Sequence, residues 1–234
     1  MTIQSLEPDK YNSIVLFTGA GMSAESGVPT YRGAGGIWSR YNWEEVACET
    51  AFRADPAGVL EFHDHRRKLL EPCRPHAGHA VIAGLEKRHP SVAVITQNID
   101  GLHQQAGSER VIELHGSLWR VRCTDEGRII DLQRDGEWPR KCDCGAWLRP
   151  DITWFGDQLN HAVMRQADEI IRGCDLFIAV GTSGVVWPAA GFPQLAKSGG
   201  ALCVEINTED NEMSGLYDTR LRGPAGEVLP ELLK

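Results

Sequence analysis

The chain has 234 residues and a formal net charge of −8, and 24% of its residues are charged. This length predicts one large domain, or a main domain with a smaller lobe. The acidic balance argues against a nucleic-acid partner, and no run of about 18 apolar residues indicates a membrane span. Seven cysteines, an odd number, favour a reducing compartment over a disulfide framework, so we expect a cytoplasmic protein.

The first apolar run, residues 13–18, predicts a buried strand that leads directly into a glycine-rich turn. The turn has the pattern Gly-x-Gly-x-x-Ala from Gly19 to Ala24. Glycine permits the tight turn and the close approach of an anion, and the small Ala24 would let the next helix pack closely on its strand. Backbone N–H groups at the start of that helix favour a pyrophosphate. Alone, this motif is weak evidence for a dinucleotide site.

The segment after the turn departs from an ordinary dinucleotide-binding unit. Glycines and a proline interrupt the helix almost at once, and no second strand ending in a ribose-binding acid follows nearby. The resulting loop carries Thr30, Tyr31, Arg32 and Trp38. We interpret it as a lid that closes over a cofactor, and the alternative is a surface loop without chemistry.

Further apolar runs predict strands at residues 91–96, 110–114, 175–180 and 201–206. Amphipathic patterns between them predict helices at residues 76–88 and 161–172, and residues 44–70 also have a helical pattern. Strands that alternate with helices predict an α/β fold with a parallel sheet. Residues 120–150 are rich in charge, glycine, tryptophan and cysteine, so we expect them to form a separate irregular insert.

Polar residues follow each predicted strand, at the edge where open α/β sheets bind ligands. They are Gln97, Asn98, Asp100 and His103 after the second strand, His115 and Ser117 after the third, Thr182 and Ser183 after the fourth, and Asn207 after the last. For one such residue, a structural hydrogen bond is the simpler interpretation. For the whole set, a ligand site at this edge is the better prediction.

These motifs resemble those of sirtuins, the NAD-dependent protein lysine deacylases. GAGMSAESGVPTYRG, TQNIDGLH, ELHGS, LRPDITWFG and GTSGVVWPAAG stand in the order found in that family, and the resemblance extends from about residue 13 to residue 225. It is closest to compact bacterial members of the class that removes acidic acyl groups. The resemblance implies a Rossmann-like lobe (about residues 1–30, 76–117 and 158–234) and a smaller helical and zinc-ribbon-like lobe (about 31–75 and 118–157). NAD and an acyl-lysine peptide would meet between the two lobes.

The same resemblance implies transfer of the acyl group from lysine to ADP-ribose, with release of nicotinamide and free lysine. His115 corresponds to the catalytic base, Asn98 and Asp100 to the residues that hold the carboxamide end of NAD, and His103 to a structural residue of its loop. The other implied contacts with NAD are Gly19, Ala20, Gly21, Ser23, Ala24, Thr30, Arg32, Trp38, Gln97, Gly181, Thr182, Ser183, Asn207 and Ala225.

The implied substrate contacts fall into two groups. The peptide would insert as a strand between Trp154-Phe155-Gly156 and Gly184-Val185-Val186. For the acyl group, Arg66 matches the second residue of a Tyr-x-x-Arg pair, in which His63 replaces the tyrosine. We expect Arg66 to bind a succinyl or malonyl carboxylate, His63 to donate to the same oxygen, more strongly when protonated, and small Ala47 to leave room. The alternative is that Arg66 belongs to a solvated helix face. We expect Tyr31, which replaces the usual phenylalanine, to have little effect.

The insert departs from the family's two Cys-x-x-Cys pairs, because only Cys123, Cys142 and Cys144 are present in it. Three thiolates with a carboxylate could hold zinc. The alternative is a lost metal, with Trp119, Trp138, Trp147 and Leu148 holding the insert by apolar packing. Two other functions also remain open: protein mono-ADP-ribosyl transfer, and NAD sensing without catalysis. The oligomeric state is not predicted.

Overall fold

The computed structural model describes residues 5–31 and 35–234. The strands in chain order are β1 (Ile14–Thr18), β2 (Val92–Thr96), β3 (Val111–Glu113), β4 (Gly116–Cys123), β5 (Ile129–Asp131), β6 (Leu148–Ile152), β7 (Leu176–Val180), β8 (Leu202–Asn207) and β9 (Thr219–Arg222). The helices are α1 (Ala20–Ser23), α2 (Trp43–Val46), α3 (Glu49–Ala54), α4 (Pro56–Leu70), α5 (Ala77–Arg88), α6 (Leu102–Gln105), α7 (His161–Arg172), α8 (Phe192–Ser198) and α9 (Ala225–Leu232).

Within these described residues, a six-stranded parallel sheet has the order β3-β2-β1-β7-β8-β9. The central strands β1 and β7 are buried along their whole length, which explains why their sequences are continuous apolar runs. Ile14 pairs with Val92 on one side and with Leu176 on the other. The chain therefore leaves β1 toward β2 and later returns to the opposite side of β1, and open sheets bind ligands at such a point.

Helices cover both faces of the parallel sheet. On one face, α5 and α9 contribute Ile82, Leu85 and Leu229 to a core with β1 and β7. On the other face, α7 and α8 contribute Ile171 and Phe192 to a second core. The predicted α/β class, five of the sheet strands and the two amphipathic helices are confirmed. The predicted helical region at residues 44–70 is confirmed as α2, α3 and α4.

The expectation of an irregular insert was wrong in one respect, because residues 116–152 contain a three-stranded antiparallel sheet in the order β5-β4-β6. In β4, arginines alternate with buried residues, so the strand lacks a continuous apolar run. A register shift between Ser117 and Val121 further interrupts the pattern. Leu118 and Trp119 of β4 pack with Val59 and Leu60 of α4, which attaches this sheet to the helical segment. Among the described helices, none has the length and apolar character needed to cross a membrane.

Candidate functional site

The carboxyl ends of the parallel strands open into a cavity of ≈ 920 Å³. Its position beside β1 and β7 is the expected ligand position for this sheet order. Most of the predicted cofactor contacts line it, namely Gly19, Ala20, Gly21, Thr30, Trp38, Gln97, Asn98, Gly181, Thr182, Ser183 and Asn207, together with His115.

Two glycine loops, one after β1 and one after β7, form the floor of this cavity. The N–H of Gly21 donates to the carbonyl oxygen of Gly181 at 2.9 Å. A Cβ at Gly21 would lie 2.7 Å from the Cα of Gly181, and a Cβ at Gly181 would overlap the backbone nitrogen of Met22. Gly181 also has a φ of +62°, which favours glycine. The floor is therefore bare backbone, and an anionic group can approach it closely.

Asn98 connects the end of β2 to the first glycine loop. Its side-chain amide donates to the carbonyl of Gly19 at 2.9 Å and to the hydroxyl of Ser23 at 3.1 Å. Its backbone N–H donates to the hydroxyl of Thr96 at 3.0 Å. Both amide hydrogens are thus used within the protein, which leaves the side-chain oxygen of Asn98 to accept a hydrogen bond in the cavity.

Asp100 lies beneath this region and not on the cavity wall. One carboxylate oxygen accepts from the N–H of Leu102 at 2.9 Å, and burial raises the pKa of the carboxyl group. The indole N–H of Trp119 donates to the carbonyl oxygen of Asp100 at 2.6 Å. These contacts hold the turn that follows Asn98, so Asp100 shapes the wall of the cavity from behind.

His115 is placed as a proton acceptor facing the cavity. Its Nδ1 lies 2.9 Å from the carbonyl oxygen of Gln97. Because a carbonyl can only accept, Nδ1 carries the ring proton and Nε2 is unprotonated in the neutral ring. Burial lowers the pKa of His115, and the bond to Gln97 partly opposes that shift. At neutral pH, Nε2 can therefore take a proton from a bound group. His103, in contrast, is buried with Nε2 3.0 Å from the Thr18 hydroxyl, as expected for a structural residue.

The residues predicted to contact the acyl group, Ala47, His63 and Arg66, line the same cavity together with Trp154. Arg66 is only 8% exposed, so it does not belong to a solvated helix face. Asp64, on the same helix, pairs with Arg67 and Arg140 instead. In the part of the chain that the structure describes, no carboxylate pairs with Arg66. Burying a guanidinium that has no direct ion-pair partner is costly, and an anionic ligand would offset that cost.

The expected protonation of His63 was wrong. The indole N–H of Trp154 donates to His63 Nε2 at 3.1 Å, so this nitrogen is an acceptor. Burial lowers the pKa of His63 well below its ordinary value, and the positive charges of Arg66, Arg67 and Arg149 lower it further. The ring is therefore neutral and is bonded to the cavity wall through Trp154.

The sequence pattern of the Sir2 family matches residues 19–188, which include the two glycine loops, Asn98 and His115. The chain belongs to the Sir2 family. It is 50% identical over 222 residues to the NAD-dependent protein deacylase 2 of Pyrobaculum aerophilum, a match that covers 94% of this chain and 89% of that protein.

Two solved Sir2 structures show what relatives of this fold contain. A complex of a Sir2 homologue with NAD is 40% identical, covers 99% of this chain and 94% of its own, and has a TM-score of 0.89. A second structure contains a deacetylated p53 peptide and 3′-O-acetyl ADP ribose. It is 29% identical, covers 95% of this chain and 93% of its own, and has a TM-score of 0.85.

A cluster of possible zinc ligands lies where β4 of this Sir2 chain ends. The sulfur atoms of Cys123, Cys142 and Cys144 and a carboxylate oxygen of Glu126 all lie within 4.8 Å of one another. The Cys123 and Cys144 sulfurs are 3.5 Å apart. Tetrahedral zinc with bonds of about 2.3 Å places its sulfur ligands about 3.8 Å apart. These four side chains therefore fit a zinc ion, for which Glu126 would supply the fourth ligand.

Apolar packing, the alternative to zinc, is also present. Trp119, Trp138 and Trp147 join the core beside α4, and Leu148 packs with Cys123 around the cluster. Apolar packing is therefore present beside a cluster that could hold zinc, and zinc, when bound, would further stabilise the insert. Gly116 and Cys123 pair with Ile152 and Leu148, which are four residues apart on β6, so the two ends of β4 lie about 13 Å apart and the cluster does not touch His115.

Some predicted Sir2 site residues lie elsewhere. Ser23, Ala24, Asp100, Val185 and Ala225 do not line the cavity, and Arg32 lies outside the described residues. Ala24 is exposed, so its predicted packing on β1 was wrong, and Met22 of α1 is buried there instead. Ala225 begins α9 and packs in the core.

Residues 154–156 and 184–186 form no strand in this structure, although Trp154, Phe155, Gly156 and Val186 line the same cavity.

Three residues have contacts that the sequence analysis did not predict. Trp187 lines the cavity and is 70% exposed, and it stands within the motif GTSGVVWPAAG without an assigned contact. Glu126 stands three residues after Cys123, where a second cysteine would complete a Cys-x-x-Cys pair, and that spacing could have identified it. The hydroxyl of Tyr31 contacts Arg66, a contact between residues 35 positions apart in the chain.

Proposed function

We infer that this chain is an NAD-dependent protein deacylase acting on acylated lysine side chains. Family membership and the deacylase names of its relatives support the reaction class. The relative solved with a deacetylated peptide supports a peptide substrate. The observation that carries the proposal is the position of His115, whose unprotonated nitrogen faces a cavity with a glycine floor.

The residues have separate tasks in this reaction. When bound, NAD supplies the sugar carbon that accepts the acyl group and the nicotinamide that leaves. Gly21 and Gly181 let its phosphates approach the backbone, and the free oxygen of Asn98 accepts a hydrogen bond from the nicotinamide end. His115 Nε2 takes a proton from a ribose hydroxyl, while Nδ1 stays bonded to Gln97. Asp100 acts from behind the wall by holding the turn.

The peptide is proposed to insert between residues 154–156 and 184–186. Phe155 and Val185 are 38% and 40% exposed, so both segments have accessible apolar side chains. A peptide that pairs through its backbone would complete a short sheet at this place, and such pairing tolerates many sequences around the lysine. The division into two lobes, with the peptide between them, is part of this proposal, as is a cytoplasmic location.

Acidic acyl groups are the proposed preference. A terminal carboxylate would compensate the buried charge of Arg66, which lines the acyl end beside small Ala47. Arg66→Met should lower the succinyl-to-acetyl ratio of kcat/KM by roughly 100-fold, since it removes a bidentate charged contact. Lys68→Met is the control, because Lys68 is exposed on the same helix. Equal losses on both substrates would exclude Arg66 from carboxylate recognition.

The reaction class is tested by nicotinamide release from NAD with peptides that differ only in the acyl group on lysine. A deacylase consumes NAD and acyl peptide together. A transferase labels protein from labelled NAD without needing an acyl group, and an NAD sensor binds NAD without releasing nicotinamide. Absence of nicotinamide release with every acyl peptide would overturn the proposed function.

A further inference from the structure

We propose that Tyr31 is a specificity-determining residue whose hydroxyl, together with the guanidinium of Arg66, binds the terminal carboxylate of an acidic acyl-lysine. This proposal rests on the proposed deacylase function and assigns the second half of its acyl-recognition site. The pair joins two separate elements, because Tyr31 lies on the loop after α1 and Arg66 lies on α4.

The geometry leaves both groups able to donate. Arg66 Nη2 donates to the hydroxyl oxygen of Tyr31 at 3.0 Å, and the guanidinium carbon lies 5.1 Å from the centre of the tyrosine ring. In this bond the tyrosine oxygen accepts, so its own O–H remains free to donate. Arg66 uses one of its five N–H groups on Tyr31. Both side chains line the cavity.

The helix position that would otherwise provide this donor is occupied by a residue bonded elsewhere. His63 stands three residues before Arg66, but its Nε2 accepts from the indole N–H of Trp154 at 3.1 Å. His63 Nδ1, which carries the ring proton, is buried without a hydrogen-bond partner among the described residues, whereas Tyr31 is partly exposed to the cavity. The hydroxyl available next to Arg66 is therefore that of Tyr31.

An aromatic cluster holds Tyr31 in this position. Its ring centre lies 5.8 Å from that of Trp38, and Trp38 lies 6.5 Å from Phe62 of α4 and 5.4 Å from Phe155. The backbone N–H of Trp38 donates to the carbonyl of Tyr31 at 3.2 Å. The loop that carries Tyr31 also carries Thr30, which lines the cofactor cavity. A carboxylate bound to Tyr31 would thus also hold this loop in place.

The chemistry discriminates between acyl groups by their terminal atoms. A carboxylate accepts from the guanidinium and from the phenol, and such charge-assisted bonds are stronger than neutral ones. A terminal methyl group accepts no hydrogen bond from either donor, so Arg66 and Tyr31 keep their hydrogen bond to each other. Succinyl and butyryl groups have the same four-carbon length and differ at this end only, which makes them a matched pair of probes.

The test is Tyr31→Phe, assayed with acetyl-, butyryl- and succinyl-lysine versions of one peptide. This change keeps the ring and removes one hydroxyl. We expect the succinyl-to-butyryl ratio of kcat/KM to fall about tenfold, the effect of losing one charge-assisted hydrogen bond. Tyr41→Phe is the control, because Tyr41 is 40% exposed, packs against Phe62 and does not line the cavity. This control should leave the ratio within twofold of the unchanged protein.

The outcomes separate this proposal from the function on which it rests. Equal ratios in Tyr31→Phe and Tyr41→Phe overturn the role of Tyr31 while the deacylase function stands. If the unchanged protein releases nicotinamide with the acetyl peptide but not with the succinyl peptide, carboxylate recognition as a whole is overturned. If the unchanged protein releases no nicotinamide from NAD with any of the three peptides, the deacylase function itself is overturned.

Discussion

The two ends of β4 are organised in opposite ways. At Gly116 the strand begins directly after His115, whose ring is oriented by a backbone carbonyl of the parallel sheet. At Cys123 the strand ends in a cluster made of side chains from two loops, with a small core of its own. The first end is positioned by buried backbone. The second end is positioned by side chains that a metal ion would hold together.

This difference predicts two kinds of response to substitution. At the His115 end, the framework does not depend on the functional side chain, so activity should be lost while the fold persists. At the Cys123 end, the side chains are themselves the framework, so metal affinity and stability should change while the chemistry persists.

The largest effect is expected for His115→Asn. Removal of the general base should lower kcat by roughly 10² to 10⁴-fold, because the asparagine amide cannot take the proton that His115 Nε2 accepts. Unfolding by urea should change little, since the surrounding sheet stays intact. The measurements are steady-state nicotinamide release and a urea titration. His65→Asn serves as the control, because His65 is exposed on α4. A loss of less than tenfold in His115→Asn would exclude the assigned role.

Gly181→Ala should damage the floor of the cavity. The added Cβ would overlap the nitrogen of Met22, and the positive φ of Gly181 disfavours alanine. We expect a loss of about 3 kcal/mol in the free energy of unfolding and a raised KM for NAD. Gly84→Ala is the matched control, because its Cβ would meet nothing within 4 Å and it lies inside α5, where alanine is favourable. Similar stabilities of the two variants would contradict the close contact between the loops.

The parallel sheet could be predicted from the sequence because its strands are buried on both faces. β1 and β7 are continuous apolar runs, and polar residues follow them where the sheet binds ligands. β9 was missed because it is a half-exposed edge strand with two arginines in four residues. β4 was missed because arginines alternate with its buried residues. A strand with one solvent-exposed face is recognised by alternating polar and apolar residues, and the register shift in β4 interrupts that alternation.

Site residues that stand together in one sequence motif could be predicted. Contacts between residues that lie far apart in the sequence could not. The glycine loops and His115 each stand within a short motif. The acyl end depends instead on contacts across the chain, such as Trp154 with His63 and Tyr31 with Arg66. Local spacing placed His63 and Arg66 on one helical face. It did not show that the indole N–H of Trp154 donates a hydrogen bond to His63 Nε2. For the same reason, the hydroxyl of Tyr31 was expected to have little effect.

Acid should destabilise the protein through its buried histidines. Burial lowers the pKa of His79 to about 2 and that of His103 to about 4, and the pKa of His63 also lies well below its ordinary value. Unfolded histidine binds a proton below about pH 6.5, whereas these folded rings do not. Stability is therefore fully present above pH 6.5 and is lost as pH falls toward the folded pKa, by up to about 2 kcal/mol per histidine at pH 5.

The check is urea unfolding at pH 7 and pH 5 in the presence of a chelator, which removes the contribution of the metal end. His79→Gln should lose less stability between the two pH values than the unchanged protein does. His65→Gln, at an exposed position, should show the same acid loss as the unchanged protein. An undiminished acid loss in His79→Gln would exclude this histidine as a source of the pH dependence.

The smallest effect, and the test of the Cys123 end, is expected for Glu126→Gln. The substitution keeps an oxygen in the cluster but removes its charge, so zinc affinity should fall roughly tenfold. The measurement is competition for zinc against a chromogenic chelator. Asp125→Asn removes a neighbouring carboxylate that lies outside the cluster and should leave the affinity unchanged. Glu126→Cys should raise the affinity, because a fourth thiolate replaces a weaker oxygen ligand.

Activity separates this variant from those at the other end of β4. Because about 13 Å separate the two ends of β4, so that the cluster does not touch His115, zinc-loaded Glu126→Gln should keep the kcat of the unchanged protein. If Glu126→Gln and Asp125→Asn bind zinc equally well, Glu126 is not a ligand and three thiolates alone hold the ion. If zinc-loaded Glu126→Gln instead loses kcat as strongly as His115→Asn, the two ends of β4 are coupled. The metal cluster would then belong to the machinery of the reaction and not only to the stability of the insert.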